Sequence, residues 1–186
     1  MSGMQLEPTA IAQWHTLVRI ARAECGADLD EPVEAYLVFM LMRFAERTGV
    51  GRQALALEFL QGLQDGPGGA ERLRATGDEC LLVCGLFPQR IRRRRVPFRY
   101  YVDLGRGAYG SLAQAGADNQ AEPFAALAAE FITLMEVLQA MRAAGAEQQL
   151  SAIEAAEIAT QTGSQQAWDR VAPTDGTLVG GSRRNH

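Results

Sequence analysis

The chain has 186 residues, of which 47% are apolar, and a net charge of −4 at neutral pH. Its length and apolar content predict one globular domain with a sizeable core. The N-terminal segment lacks the basic start and apolar centre of a signal peptide. The most apolar stretch, residues 35–42, is far shorter than the roughly 20 residues that a membrane span needs. We therefore expect a cytoplasmic protein that does not contact a membrane.

The first part of the chain predicts two helices. Apolar residues recur at three- and four-residue steps between Pro8 and Cys25, which is typical of one helix face. The stretch from Val33 to Arg47 is apolar on most of its sides, and such a helix is usually surrounded by others. We expect this second helix to form the centre of the fold, with Phe39 and Leu41 buried.

Three shorter helices are predicted next, over about 50–63, 70–75 and 79–86. Thr76, Gly77 and Asp78 separate the last two, and the side chain of Asp78 or Thr76 is expected to cap the helix that follows, by accepting a hydrogen bond from its free backbone N–H groups. Cys80 and Cys84 lie four residues apart on one face of that helix, among apolar neighbours. We expect both to be buried thiols.

The remainder of the chain predicts one long helix, from Phe124 to about Ala144, and two modest ones over 150–160 and 164–171. Residues 173–186 lack periodicity and are rich in glycine and polar residues, so we expect a mobile tail. The sequence thus predicts a single all-α domain over residues 1–172. Its architecture is expected to be a bundle of about six to eight helices around a central apolar helix.

The string GRGAYG has glycines at 105, 107 and 110, which match the GxGxxG spacing of dinucleotide-binding turns. The first strand of such a fold is buried on both faces and mostly aliphatic, whereas the segment before these glycines carries Arg99 and Asp103. The segment fits the apolar spacing of a helix better, although each glycine would cost a helix about 1 kcal/mol relative to alanine. A helix and a loop both remain open, and no cofactor is expected.

Arginine supplies all 18 of the basic side chains other than histidine, and seven arginines lie between positions 90 and 106, together with one acid, Asp103. This charge asymmetry is local and steep. A guanidinium group can bind a carboxylate or a phosphate through two hydrogen bonds. The cluster therefore predicts either a surface for an acidic partner or a solvated turn. The expected partner-binding residues are Arg90, Arg92, Arg93, Arg94, Arg95 and Arg99, with Tyr100 and Tyr101 at their edge.

An acidic protein surface is the expected partner, because the net charge of −4 would repel nucleic acid away from the cluster. A phosphate group or a nucleic-acid backbone is an alternative, since aromatic residues interleaved with arginine can stack on bases. A small enzyme or ligand-binding module with a pocket near Tyr101, Asp103 and Gly105 is another. The chain carries no hydrolytic, phosphate-loop or metal-binding motif, and His15 lies on an apolar helix. We therefore expect binding rather than catalysis, with no catalytic residue and no metal.

Three strings of the sequence, EAYLVFMLMRF, GDECLLVCGLFP and YYVDLGRGAYGSLA, resemble those of a bacterial family of mainly helical proteins of unknown function. The resemblance covers roughly the middle half of the chain. It implies a helical, stand-alone cytoplasmic protein, and it implies no activity, substrate or catalytic residue.

Overall fold

The structure is a computed structural model and describes residues 8–46, 55–116, 118–145 and 162. These residues form eight α-helices and one short 3-10 helix, Gly66–Gly68, and include no strand, so the prediction of an all-α bundle is confirmed. The α-helices are α1 (Pro8–Cys25), α2 (Glu31–Glu46), α3 (Leu55–Gln64), α4 (Gly69–Leu86), α5 (Pro88–Arg94), α6 (Phe98–Ala115), α7 (Asp118–Ala129) and α8 (Phe131–Gly145).

The ends of α1 agree with the periodicity of its apolar residues, and α2 begins at Glu31, two residues before its apolar stretch. The predicted helices over 150–160 and 164–171 lie outside the described residues. So do the domain boundary at residue 172 and the mobile tail over 173–186. These stay predictions.

Helix α4 lies at the centre of the bundle. It packs against α3, α6 and α8, and it leads into α5. Cys80, Leu81 and Cys84 on this helix are completely buried, and both cysteines are free thiols, as their apolar neighbours predict. Burial of such apolar side chains supplies the main favourable term in folding.

Helix α2 packs mainly against α1 and α7, so the prediction that it is the central helix is wrong. Leu37 and Leu41 face the core, where Leu41 is 1% exposed, whereas Phe39 is 52% exposed. The predicted burial of Phe39 is therefore also wrong. Residues two positions apart on a helix point to different sides. An apolar composition does not by itself determine how many neighbours a helix has.

Two helix boundaries differ from the sequence prediction. Helix α4 continues through Thr76, Gly77 and Asp78, and a Cβ atom added to Gly77 would lie only 2.6 Å from the ring of Tyr109. This glycine therefore permits close packing inside a helix and does not end one. The predicted helix from 124 to 144 is divided at Glu130, where α7 and α8 meet at a bend of 74°.

Helix α6 contains the whole GRGAYG string, so its glycines are helical. Gly105 is buried where α6 meets α4 and α8, and a Cβ atom added there would lie 2.5 Å from the ring of Phe131 and 2.9 Å from Cys80. A Cβ atom on Gly110 would meet nothing within 4 Å. Packing therefore requires a glycine at 105 and does not require one at 110.

Replacing Leu41 by alanine is expected to lower the free energy of unfolding by about 2–5 kcal/mol, the usual cost of truncating a buried leucine. Phe39→Ala is the matched control on the same helix, and it is expected to cost less than about 1 kcal/mol because its side chain is half exposed. Urea denaturation of the two variants measures both values. An equal loss at the two positions would contradict the outward orientation of Phe39.

Gly105→Ala is expected to lower the free energy of unfolding by about 1–3 kcal/mol, because the added methyl group overlaps Phe131 and Cys80. Gly110→Ala, in the same helix, is expected to raise it by about 0.5–1 kcal/mol, since alanine loses less backbone entropy and the site is open. Thermal denaturation should therefore show shifts of opposite sign. Shifts of the same sign would show that Gly105 does not lie in a close contact.

Candidate functional site

The predicted arginine cluster lies mainly on α5 and on the turn that follows it. Ile91 is buried and holds the helix on the core, while the four arginines at 92–95 are all exposed. Arg90 is half-buried, with its guanidinium carbon 4.5 Å from the centre of the Phe87 ring. Arg95 ends the helix in a left-handed conformation, with φ of 53°. Positive side chains are favoured at this end of a helix because its free carbonyl groups carry partial negative charge.

The remaining predicted partner-binding residues divide between the surface and the core. Arg99 is exposed, and its Nε lies 3.3 Å from the carboxylate of Asp103. Tyr100 is 41% exposed, whereas Tyr101 is 4% exposed and belongs to the core. The expected contribution of Tyr101 to a binding surface is therefore wrong. We define the exposed arginine surface as Arg92, Arg93, Arg94, Arg95, Arg99 and Tyr100.

The three residues of the alternative pocket, Tyr101, Asp103 and Gly105, do not converge. Tyr101 and Gly105 are buried on the core side of α6, and Gly105 lies against Phe131. Asp103 is exposed and lies beside Arg99. The structure thus separates Asp103 from the other two residues, and one small ligand could not contact all three.

A mostly buried polar network links three helices, and the sequence did not predict it. The Asp78 carboxylate on α4 accepts hydrogen bonds from the hydroxyl groups of Tyr36 on α2, at 2.6 Å, and Tyr109 on α6, at 2.8 Å. Arg43 on α2 donates to the other carboxylate oxygen at 2.9 Å. The rings of Tyr36 and Tyr109 meet edge to face, and both pack against Phe124. Asp78 is therefore an acceptor between helices and not a helix cap.

Burial controls the protonation of this network. It raises the pKa of both Tyr36 and Tyr109 well above the usual value, and the nearby charge of Asp78 raises it further, so both hydroxyl groups keep the proton that they donate. Burial also raises the pKa of Asp78, against the effect of the two tyrosine hydrogen bonds and of Arg43. Three of the roughly four acceptor positions of the carboxylate are filled. Such an arrangement suits a fixed contact between helices better than proton exchange with a substrate.

Comparison of the chain with protein-family models, with curated proteins and with solved structures gives no match. The resemblance to a bacterial family of helical proteins therefore stays a prediction. The candidate site rests on the chemistry and geometry of the described residues alone.

Neither a single membrane-spanning helix nor a cluster of metal ligands occurs in the described part of the chain. No single helix there is long and apolar enough to cross a membrane, although the bent pair Pro123–Ala129 and Phe131–Ala144 together reaches that length and composition. No group of three or more histidine, cysteine or acidic side chains in the same part of the chain is placed to hold a metal ion.

Tyr36→Phe removes one donor from the Asp78 carboxylate and keeps the aromatic ring. We expect the free energy of unfolding to fall by about 1.5–3 kcal/mol, the range for a hydrogen bond to a charged group. Tyr100→Phe, which removes an exposed hydroxyl group, is the matched control and should change it by less than about 0.5 kcal/mol.

Urea denaturation measures both changes, and a double-mutant cycle with Asp78→Asn measures the coupling between Tyr36 and Asp78. The effect of Tyr36→Phe should be smaller in the Asp78→Asn background, because the charged acceptor is absent. Equal effects of the two tyrosine substitutions would show that the network does not hold α2 to α4.

Proposed function

We propose that the protein is a binding protein that uses the exposed arginine surface to contact an acidic protein. The observation that carries this proposal is the exposure of four successive arginines at 92–95, with Arg99 at the start of the next helix. Typical protein surfaces mix the two signs of charge, whereas residues 90–106 contain seven arginines and one acid. These like charges repel one another, and carboxylates on a partner would relieve the repulsion.

Two features favour an acidic protein over a nucleic acid. The net charge of −4 repels a phosphate backbone from the rest of the molecule. Proteins that hold single strands usually stack successive bases on several aromatic side chains, and here Tyr100 is exposed while Phe98 and Tyr101 are buried. A single exposed tyrosine among arginines is closer to the composition of a protein interface, where both residue types are enriched.

The two kinds of side chain would have different roles in this contact. Each guanidinium group can bind a carboxylate through two parallel hydrogen bonds. Charges at the rim of an interface mainly increase the rate of association, whereas a buried aromatic side chain carries a large share of the affinity. Tyr100 is therefore the proposed anchor, and the arginines direct the partner towards it.

The first test uses two variants that each lose two positive charges. Arg93→Gln/Arg95→Gln alters the exposed arginine surface, and the control Arg19→Gln/Arg74→Gln alters arginines on α1 and α4, outside residues 90–106. Each variant and the wild type capture partners from native cell extract, and mass spectrometry identifies them. We expect the wild type and the control variant to capture the same acidic protein. Arg93→Gln/Arg95→Gln should bind this partner at least about tenfold more weakly, which corresponds to about 1.4 kcal/mol. Equal capture by both variants would contradict the proposal.

The second test distinguishes an acidic protein from a phosphate backbone. Contacts to phosphate release counterions, so affinity for duplex DNA falls with salt at a log–log slope of about −0.9 per contact. Titration with mixed-sequence DNA and RNA at about 50 and 200 mM salt covers the range in which this loss is large. We expect no sub-micromolar binding. Sub-micromolar binding at the lower salt, if Arg93→Gln/Arg95→Gln abolishes it, would show that the partner is a nucleic acid and not a protein.

A further inference from the structure

A cavity of about 310 Å³ lies between α1, α2, α8 and the end of α4, and none of the residues that line it belongs to the exposed arginine surface. Its walls are almost entirely apolar and include Trp14, Leu17, Leu41, Phe44, Leu86 and Met141. The volume is at the lower end of the range for pockets that bind small molecules. Leu17 and Ile20, which also line the cavity, are each 49% exposed, so the cavity opens to solvent along α1.

Arg142 is the one charged residue among the described residues that line this cavity. Both terminal nitrogen atoms of its guanidinium group are buried, and neither has a hydrogen-bond partner among the described residues. A guanidinium group carries a fixed positive charge. A buried charge without a partner is strongly unfavourable. An anion that enters the cavity and binds the guanidinium group of Arg142 would therefore be stabilised there.

We propose that the cavity binds a medium-chain monocarboxylate, with its carboxylate on Arg142 and its hydrocarbon chain along Trp14, Phe44 and Met141. The planar guanidinium group matches a carboxylate with two hydrogen bonds. The apolar walls remove the hydrocarbon chain from water, and the modest volume excludes a lipid with two chains. The bound chain also covers part of the exposed surface of Leu17 and Ile20. This site does not depend on the proposed function of the exposed arginine surface.

The test uses isothermal titration calorimetry of the delipidated full chain with decanoate below its micelle concentration and with decanol below its solubility limit. Decanoate and decanol share the hydrocarbon chain and differ in the charge of the head group. We expect decanoate to bind with one site per chain and decanol to bind at least about tenfold more weakly, a difference of about 1.4 kcal/mol. Equal affinity for the two probes would overturn the role of Arg142.

Two arginine variants with the same change of charge assign the site. Arg142→Met should weaken decanoate binding at least about tenfold, which corresponds to about 1.4 kcal/mol, and leave decanol binding unchanged. Arg19→Met removes an exposed arginine from α1 that does not line the cavity, and it should bind both probes as the wild type does. Unchanged decanoate binding in Arg142→Met would overturn the proposal.

A third variant keeps the test decisive even if Arg142→Met does not fold. Ala144 is exposed and lines the cavity, so Ala144→Leu narrows it without altering the core. It should weaken decanoate and decanol alike. Unchanged binding of both probes would place them elsewhere and overturn the proposal. Absence of decanoate binding to the wild type would also overturn it, and is the result expected if another segment of the chain or a second copy fills the cavity.

Discussion

The carboxylate of Asp78 constrains the arrangement of the helices around α4. Removing a carboxylate from water is costly unless hydrogen bonds and an opposite charge replace the lost solvation. Tyr36 and Arg43 provide these contacts from α2, and Tyr109 provides them from α6. Because hydrogen bonds weaken steeply when distance or angle changes, a shift of either helix would leave a buried charge poorly paired. The apolar core favours a compact bundle of helices, and this network favours one arrangement of them.

The sequence predicted the helices whose positions depend on one buried face. The ends of α1 follow from apolar residues repeated every three to four positions. The same reasoning failed around Gly77, because the contact that explains this glycine comes from Tyr109 on another helix. It also failed at Glu130. Backbone hydrogen bonds run from Glu130 to Ala126 and from Leu134 to Glu130 across the bend. Residues 124–134 contain no proline or glycine, so the sequence does not mark the division.

At the candidate sites, too, a local sequence pattern predicts exposure but does not predict contacts between helices. Clustered arginines are normally exposed, so charge alone located most of the exposed arginine surface. Tyr101 follows Tyr100 directly in the sequence, but successive residues on a helix lie about 100° apart. Tyr100 is therefore exposed while Tyr101 points into the core. Arg142 follows Leu138 by four residues on the apolar stripe of α8, and this position could have indicated burial. Among the described residues, the absence of an acceptor for its two terminal nitrogen atoms depends on every neighbouring helix, so no local pattern could reveal it.

The central position of α4 has a consequence for how the amide hydrogens of the chain exchange with solvent. Helix α4 contacts α3, α6 and α8, so its amides near Leu81 cannot open without exposing the shared core. Exchange there requires unfolding of the whole domain. Helix α3 carries Leu57, Leu60 and Leu63, which are all about half exposed, and it is less firmly held. We expect its amides to exchange through local opening, so deuterium enters α3 before it reaches the amides of α4 near Leu81.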